Sequence, residues 1–388
     1  MGPPKFFLSY SRKNLDDLRT IARTLMIHGI RIWQDINNLG TGVTEHKIRE
    51  AIQQMCSGLV FYSTALSVQS SMIRKIELPE AEARHKKDPS FHIVPIFRLS
   101  VKETDEALKG CLRIPISNFN GAKVEPKGQV DDVLVAAQEA AKIILNEIEI
   151  NEIPPLPIGL ASKQKTGENV VLDLDFTSFF SNGLPSQEVW DKEFSSALVR
   201  VKNALVLKKM AHLRLYSFAH LSLGFLFGYI FRERTGFKLE IEQISDGKRE
   251  IWSTSALPEE NPFEMSVLPG ELDSKNLCVK ISLMSNDRSS LPSYANKSGF
   301  SFRALLELSP PNFPYIISSG QAVEIANQLA NKIKQMHAEY GTNTVHIFAA
   351  IPLGLALLIG YKLNACGKIQ CYEFDNSSLE YSPSCTLD

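Results

Sequence analysis

Residues 345–361, VHIFAAIPLGLALLIGY, form the most apolar run in the chain. A transmembrane helix is disfavoured, because the uninterrupted apolar core is shorter than the roughly 18–20 residues of a span and contains Pro352. A single buried helix is also disfavoured, because proline lacks an N–H and starts helices more readily than it continues them. We therefore predict a buried strand over residues 345–350, a tight turn, and a helix from about Pro352 to Leu363.

A second stretch, residues 213–229 (LRLYSFAHLSLGFLFGY), repeats this pattern at a constant offset of 132 residues. The positions that coincide without a gap are Leu221, Leu223, Leu226, Gly228 and Tyr229 with Leu353, Leu355, Leu358, Gly360 and Tyr361. Both copies lead through a turn with a glycine, Gly236 or Gly367, into an alternating strand. The period is much longer than that of a solenoid repeat, so we infer two strand–helix–strand halves related by duplication.

Two such halves are expected to pack as a pseudo-dimer. Their strand-to-helix turns, residues 218–222 and 350–354, would then open on one shared crevice. Ligands of open α/β sheets bind beyond the carboxyl ends of the strands, and helix N-termini at that edge favour anions. A crevice that is built twice suits a ligand that is itself repetitive and anionic.

The composition narrows the class of protein. The chain has 388 residues, which is enough for two or three domains, and its 44% hydrophobic and 22% charged residues are typical of a soluble globular protein. A net charge of -1 argues against a general binder of long nucleic acids but allows a local basic site. The six cysteines form no paired CxxC pattern, and the N-terminus lacks the apolar core of a signal peptide. We therefore expect reduced thiols and a cytoplasmic protein without a membrane segment.

Two kinds of site are not indicated by the sequence. No GxxxxGK phosphate-binding loop is present. Cys366 and Cys371 lack histidines at zinc spacing, so no metal site is predicted.

The chain divides into three parts by pattern. Over residues 1–149, apolar strands alternate with helices, which predicts an α/β domain with a doubly wound parallel sheet. Residues 150–169 are rich in proline, glycine and polar residues and are predicted to be a linker. The second domain is predicted to cover residues 170–388.

The first domain resembles the TIR family over residues 5–147, which implies a flavodoxin-like sheet. The features that match are the opening strand FFLSYS, Trp33 and Asp35, Leu39 and Gly40, Ile48 with Ala51 and Ile52, residues 59–63, and the segment SSMIRKIEL. Enzymatic members of this family cleave the nicotinamide–ribose bond of NAD with a glutamate, which corresponds here to Glu77. A carboxylate near the ribose stabilises the oxocarbenium character that develops as this bond breaks. The alternative is that Glu77 is an ordinary solvated helix residue.

One departure from the family concerns aromatic contacts. Many active TIR members carry tryptophan four residues before the glutamate, where this chain has Ile73. Trp33 or Tyr10 could supply that contact, although core packing is the equal alternative for each. The resemblance implies that the residues binding NAD are Ser9, Tyr10, Arg12, Trp33, Asp35 and Ser71.

The second domain resembles the SAVED family, whose members resemble two fused CARF-type Rossmann halves and bind cyclic oligonucleotides. The features that match are the duplicated unit, Trp252 in REIWS, and HIFAAIPLGLALLIG with CYEF. Residues 200–249 contain ten Lys or Arg and four Asp or Glu, an excess that suits phosphates. The predicted ligand-binding residues are Lys209, Phe218, His220, Leu221, Arg234, Trp252, Ala350, Pro352, Leu353 and Tyr372. Trp252 and Tyr372 are expected to stack on bases or, equally, to pack in the core.

Together the two resemblances predict an effector of bacterial cyclic-oligonucleotide-based anti-phage signalling (CBASS). The SAVED domain would bind a cyclic oligonucleotide, with a cyclic trinucleotide favoured, and the chain would self-associate into an oligomer or filament. The TIR domain would then hydrolyse NAD, which is the substrate, so no cofactor is expected. The loop at residues 37–44 would reorder on contact with a neighbour. The rival hypothesis is a non-enzymatic TIR adaptor gated by nucleotide binding.

Overall fold

The computed structural model describes residues 2–34, 44–125, 131–167, 169–245, 247–260, 263–283, 299–310 and 317–388. These residues form two compact units. The first unit comprises Met1–Ile153 with the segments Gly167–Phe176 and Asn203–Lys209. The second comprises Pro154–Thr166, Thr177–Lys202 and Met210–Asp388. No helix in the described ranges is both long and apolar enough to cross a membrane.

A five-stranded parallel sheet forms the centre of the first unit, with strand order β2-β1-β3-β4-β5. Its strands are β1 (Lys5–Ser9), β2 (Arg31–Trp33), β3 (Gly58–Ser63), β4 (His92–Phe97) and β5 (Ala122–Lys123). Every residue of β3 is buried, as expected of a central parallel strand covered on both faces. The order 2-1-3-4-5 is that of the flavodoxin-like doubly wound fold, so the predicted fold class is confirmed.

Helices connect these strands, and two of them contain π-helical turns. They are α1 (Leu15–Ile27), α2 (Thr44–Glu50), α3 (Leu78–Lys87), α4 (Val101–Ala107) and α5 (Asp131–Glu147). A π-helical segment, Ala51–Met55, continues α2, and another, Ile73–Glu77, leads into α3. Such segments occur frequently at functional sites, and here one of them ends on Glu77.

Two further sheets follow in the chain, with strand orders β10-β9-β8-β6-β7 and β11-β13-β12-β14-β15-β16. The second sheet contains β6 (Leu156–Ala161), β7 (Leu172–Asp175), β8 (His212–Phe218), β9 (Lys238–Ser245) and β10 (Lys248–Ser253). The third contains β11 (Glu264–Pro269), β12 (Asn276–Ser282), β13 (Ala304–Ser309), β14 (Thr344–Ala350), β15 (Lys368–Asp375) and β16 (Glu380–Leu387). The remaining helices are α6 (Gln187–Val189), α7 (Ser195–Leu207), α8 (Leu221–Ile230), α9 (Ser319–Tyr340) and α10 (Leu353–Lys362), with a π-helical segment, Trp190–Phe194, between α6 and α7.

The predicted strand–turn–helix unit is confirmed. Strand β14 ends at Ala350, Pro352 is the N-cap of α10, and the helix begins at Leu353. The bounds of β8 and α8 each precede those of β14 and α10 by 132 residues. Strands β6, β8, β9 and β10 also pair with the same directions as β12, β14, β15 and β16, so the duplication extends to the sheets.

The two halves meet at helices α8 and α10 through reciprocal glycines. A Cβ added at Gly228 would lie 2.1 Å from the Leu357 carbonyl oxygen, and one added at Gly360 would lie 2.2 Å from the Phe225 carbonyl oxygen. At the offset of 132, each of these contacts is the counterpart of the other. The expected pseudo-dimer is therefore present, and it depends on close approach of two helix backbones.

The predicted linker is not a linker throughout. Within residues 150–169, β6 pairs in parallel with β8, and five of its six residues are buried. The prolines and the glycine of PLPIGLA concealed a strand that lies beside the apolar β8.

Candidate functional site

Glu77 lies at the carboxyl edge of the first sheet. The Ser9 hydroxyl, at the end of β1, donates a hydrogen bond of 2.6 Å to Glu77 Oε2. Strand β1 is flanked by β2 and β3, so this edge is the topological switch point where ligands of doubly wound sheets bind. Glu77 is 7% exposed and is therefore not the solvated helix residue of the alternative reading.

The other residues predicted to bind NAD fall into three groups. Trp33 and Tyr10 are buried, and the Trp33 ring stacks on Phe7 at 4.9 Å within the core. Arg12 and Ser71 are exposed, with Ser71 at the start of the helical turn that leads to Glu77. Asp35 and most of the loop at residues 37–44 lie outside the described residues.

Core packing explains the role of Ile73, which stands where many active TIR members carry tryptophan. Ile73 is 1% exposed and belongs to the same apolar cluster as Trp33. In this structure neither side chain presents a face to a ligand, so the core alternative holds for Trp33.

Sequence reasoning missed a polar network at the same carboxyl edge. The Tyr62 hydroxyl donates to Asp17 Oδ2 at 2.7 Å, and Arg98 Nη1 donates to the same oxygen at 2.9 Å. Burial and the Asp17 carboxylate raise the pKa of Tyr62 above its ordinary value. The available signal was that Tyr62 and Arg98 stand at the ends of two adjacent buried strands, β3 and β4.

In the second unit, each half caps the helix of the other at the predicted crevice. Glu373 on β15 accepts hydrogen bonds from the backbone N–H of Leu221 at 3.4 Å and of Ser222 at 2.9 Å, at the N-terminus of α8. Gln243 on β9 accepts one from the Gly354 N–H at 3.0 Å, at the N-terminus of α10. Gln243 and Glu373 occupy the same position of the duplicated strand, 130 residues apart, so the two caps are structural counterparts.

These caps correct the expected anion site at the turn of residues 218–222. A carboxylate already satisfies the first N–H groups of α8, so a ligand phosphate cannot take that place while Glu373 remains. The signal that sequence analysis missed is a polar residue where the alternation of the strand predicts an apolar one. It stands two positions after Ile241 on β9 and two positions after Cys371 on β15.

The structure brings only some of the predicted ligand-binding residues together. Those at the carboxyl ends of β8 and β14, partly exposed, are Phe218, His220, Leu221, Ala350, Pro352 and Leu353. Lys209 and Arg234, in contrast, lie in the turns before β8 and β9, at the amino ends of those strands. They do not reach the crevice, because the amino and carboxyl ends of parallel strands lie at opposite edges of a sheet.

Trp252 and Tyr372 are core residues, the alternative that the sequence left open. Trp252 is 1% exposed, and a Cβ added at Gly354 would lie 2.7 Å from its ring. The Tyr372 ring stacks on Phe348 at 4.2 Å, and its hydroxyl lies 2.9 Å from His346 Nδ1. Neither ring faces the crevice as an open stacking surface.

His220 is a neutral polar group at the crevice. Its Nδ1 lies 2.7 Å from the Ser162 hydroxyl, and its ring stacks on Phe180 at 4.2 Å. Burial, together with the nearby charge of Lys163, lowers the pKa of His220 to about 4. At neutral pH this histidine therefore offers hydrogen bonds and a ring face but no positive charge.

Glu373→Gln is expected to remove a pH-dependent loss of stability. Burial raises the pKa of Glu373 above its ordinary value of 4.5, while the Ser222 and Leu221 donors and Lys163 oppose the rise. A raised pKa in the folded state means that stabilisation is complete below the ordinary value and is lost as pH rises through the raised one. Glutamine does not titrate. As pH rises from the ordinary pKa to the raised one, the free energy of unfolding of the variant should therefore increase relative to that of wild type.

Urea unfolding at a series of pH values tests this expectation. The matched control is Glu339→Gln, an exposed glutamate in the same unit, which should track wild type throughout. A constant difference between Glu373→Gln and wild type at all pH values would contradict the expected titration.

Comparisons with known proteins identify two domain families. The TIR domain family model matches residues 6–126. The model for the "SMODS-associated and fused to various effectors sensor domain" (SAVED) matches residues 196–387. No curated protein matches the chain.

The solved structures that resemble the chain include Cap4 receptors with SAVED/CARF domains. The Acinetobacter baumannii Cap4 receptor with the cyclic trinucleotide 3'3'3'-cAAA has a TM-score of 0.50 and 15% sequence identity, covering 98% of this chain and 86% of that one. The Moraxella osloensis Cap4 receptor has a TM-score of 0.45 and 16% identity, covering 90% of this chain and 86% of that one. At this level of identity the first likeness supports the fold alone.

Proposed function

The chain combines a TIR domain with a SAVED domain, and on that premise we propose that it is an effector of the CBASS type that cleaves NAD when its SAVED domain binds a cyclic oligonucleotide. The reaction proposed for the TIR domain is hydrolysis of NAD to nicotinamide and ADP-ribose. The observation that carries it is the hydrogen bond of 2.6 Å from Ser9 to Glu77 at the switch point of the first sheet.

The chemistry suits a single buried carboxylate. The bond between nicotinamide and ribose breaks with both electrons leaving on neutral nicotinamide, so no strong general acid is required. Positive charge develops on the ribose, and Glu77 stabilises it directly. Water then adds to the ribose carbon and loses a proton, which completes ADP-ribose. Ser9 holds the carboxylate in place for this step.

The burial of Glu77 supports gating of this activity. At 7% exposure, the carboxylate is not open to a dinucleotide in this state of the protein. NAD therefore reaches it only after a rearrangement, which we assign to self-association driven by the ligand. Activity at saturating ligand should then rise more steeply than linearly with protein concentration.

A cyclic trinucleotide is the ligand that we favour. The Cap4 receptor of similar fold was solved with the cyclic trinucleotide 3'3'3'-cAAA. In this chain the crevice edge carries a glutamate cap in one half and a glutamine cap in the other, so its two sides are chemically unequal. A ring with an odd number of nucleotides cannot present the same groups to both sides of an exact two-fold axis, so it is compatible with a crevice whose sides differ.

The test is nicotinamide release by the purified chain with a panel of cyclic di-, tri- and tetranucleotides. We expect release only with one ring size, together with thermal stabilisation by the same ligand, which is about 2.7 kcal/mol at 100-fold excess over Kd. Stabilisation without any release would favour the non-enzymatic adaptor. Release at an equal rate without ligand would contradict gating.

A further inference from the structure

A polar cavity of about 410 Å³ lies in the second unit, away from the crevice. It is bounded by α7, by the C-terminal end of α8, by the start of β15 at Lys368 and by the end of β16. The crevice lies at the carboxyl ends of β8 and β14, so α8 has its N-terminus at the crevice and its C-terminus at this cavity. The two sites are therefore distinct.

Two cations share this cavity without a carboxylate partner. Lys202 and Arg232 both line it, and no ion pair to either side chain occurs within the described ranges. Burial lowers the pKa of Lys202, and the charge of Arg232 lowers it further. Two carboxylates also line the cavity. Asp191 accepts a hydrogen bond from the Thr386 N–H at 3.0 Å, and Asp388 is exposed and forms no ion pair with either cation in the described part of the chain.

Arg232 is held in place with unused donor capacity. Its guanidinium lies 4.2 Å from the centre of the Tyr229 ring, in cation–π geometry. Its Nε is buried and has no hydrogen-bond acceptor in the described chain. A buried donor without an acceptor destabilises the protein, and an anion in the cavity would supply the missing acceptor.

The duplicated half serves as an internal comparison. Tyr361, the counterpart of Tyr229, donates its hydroxyl hydrogen bond to the Phe237 carbonyl oxygen at 2.8 Å. At the same offset of 132, Lys202 corresponds to the exposed Lys334, and Arg232 corresponds to Asn364. The paired cations are therefore particular to the first half and do not follow from the fold.

We propose that this cavity binds a small organic phosphate, with the phosphate between Lys202 and Arg232. A dianion neutralises both cations, and the planar guanidinium fork matches phosphate oxygens. The volume falls in the range of small-molecule sites and leaves space beside the phosphate for a sugar or base. Lys368, an exposed residue that also lines the cavity, supplies a third positive charge.

Thermal unfolding of the full chain with AMP, inorganic phosphate or acetate tests this proposal. AMP and phosphate are expected to raise the Tm of wild type saturably, and acetate is not. Lys202→Met should weaken AMP binding by at least about tenfold, because one of two charged contacts is lost. Without ligand the same variant should be as stable as wild type or more so, because the repulsion from Arg232 is removed.

The controls make the assignment specific to the cavity. Lys334→Met, at the counterpart position, should respond to AMP as wild type does. Arg232→Lys keeps the charge but loses the fork, so its AMP affinity should also fall. A Tm shift that persists in Lys202→Met, an equal shift with acetate, or no shift in wild type at millimolar AMP and phosphate would each overturn the proposal.

Discussion

Glu77→Gln is expected to abolish NAD cleavage by the ligand-activated protein while leaving cyclic-nucleotide binding intact. Glutamine keeps the shape of the side chain and can still accept the Ser9 hydrogen bond, but it carries no charge to stabilise the developing cation. Removal of one electrostatic stabiliser of a transition state costs about 10²–10³-fold in kcat, and loss of a full charge should cost at least that. The measurement is nicotinamide release at saturating NAD and activating ligand.

Two further variants make this result interpretable. Glu106→Gln changes an exposed glutamate of the same unit and should leave turnover unchanged. Ser9→Ala removes the donor to Glu77, so it should lower kcat less than Glu77→Gln does and add little to it in the double variant. Retained turnover in purified Glu77→Gln protein would remove Glu77 from the proposed mechanism.

The sequence predicted the sheet of the first unit well, because buried parallel strands appear as short apolar runs separated by helices. It also placed Glu77 on the helical segment that follows β3. It could not reveal that Ser9 reaches Glu77, since the two residues are 68 positions apart and meet only through the order of the strands. Nor could it decide whether Trp33 binds a ligand or packs in the core, since both roles use the same apolar ring.

In the second unit, the duplication predicted the local strand–turn–helix structure but not the contacts between the two halves. The strand–turn–helix around Pro352 follows from proline chemistry and periodicity. The caps by Gln243 and Glu373 depend on how one half meets the other, and no short-range pattern encodes that meeting. The local excess of Lys and Arg was also real, but strand direction places Lys209 and Arg234 away from the crevice.

Gly228→Ala is expected to cause the largest loss of stability among the substitutions considered for the second unit. The added methyl group would lie 2.1 Å from the Leu357 carbonyl oxygen and 2.8 Å from the Tyr361 backbone nitrogen. Both are backbone atoms of α10, so no side chain can rotate away, and the two helices must separate. Overpacking typically costs about 1–3 kcal/mol, and a clash between backbones should reach at least the upper end of that range. Gly360→Ala should act alike, because it meets the Phe225 carbonyl oxygen at 2.2 Å.

Urea unfolding measures this loss. It is read from the transition of the second unit, or from the single transition if the two units unfold together. Gly167→Ala, in the first unit, is the control for the added methyl group itself, because nothing lies within 4 Å of that group. It should be neutral or slightly stabilising, since alanine restricts the unfolded chain. Because both glycines protect the same helix contact, the double variant should lose less than the sum of the two single losses. Additive losses would show that the two glycine contacts act independently. A Gly228→Ala protein as stable as wild type would show that the two halves do not depend on close approach of α8 and α10.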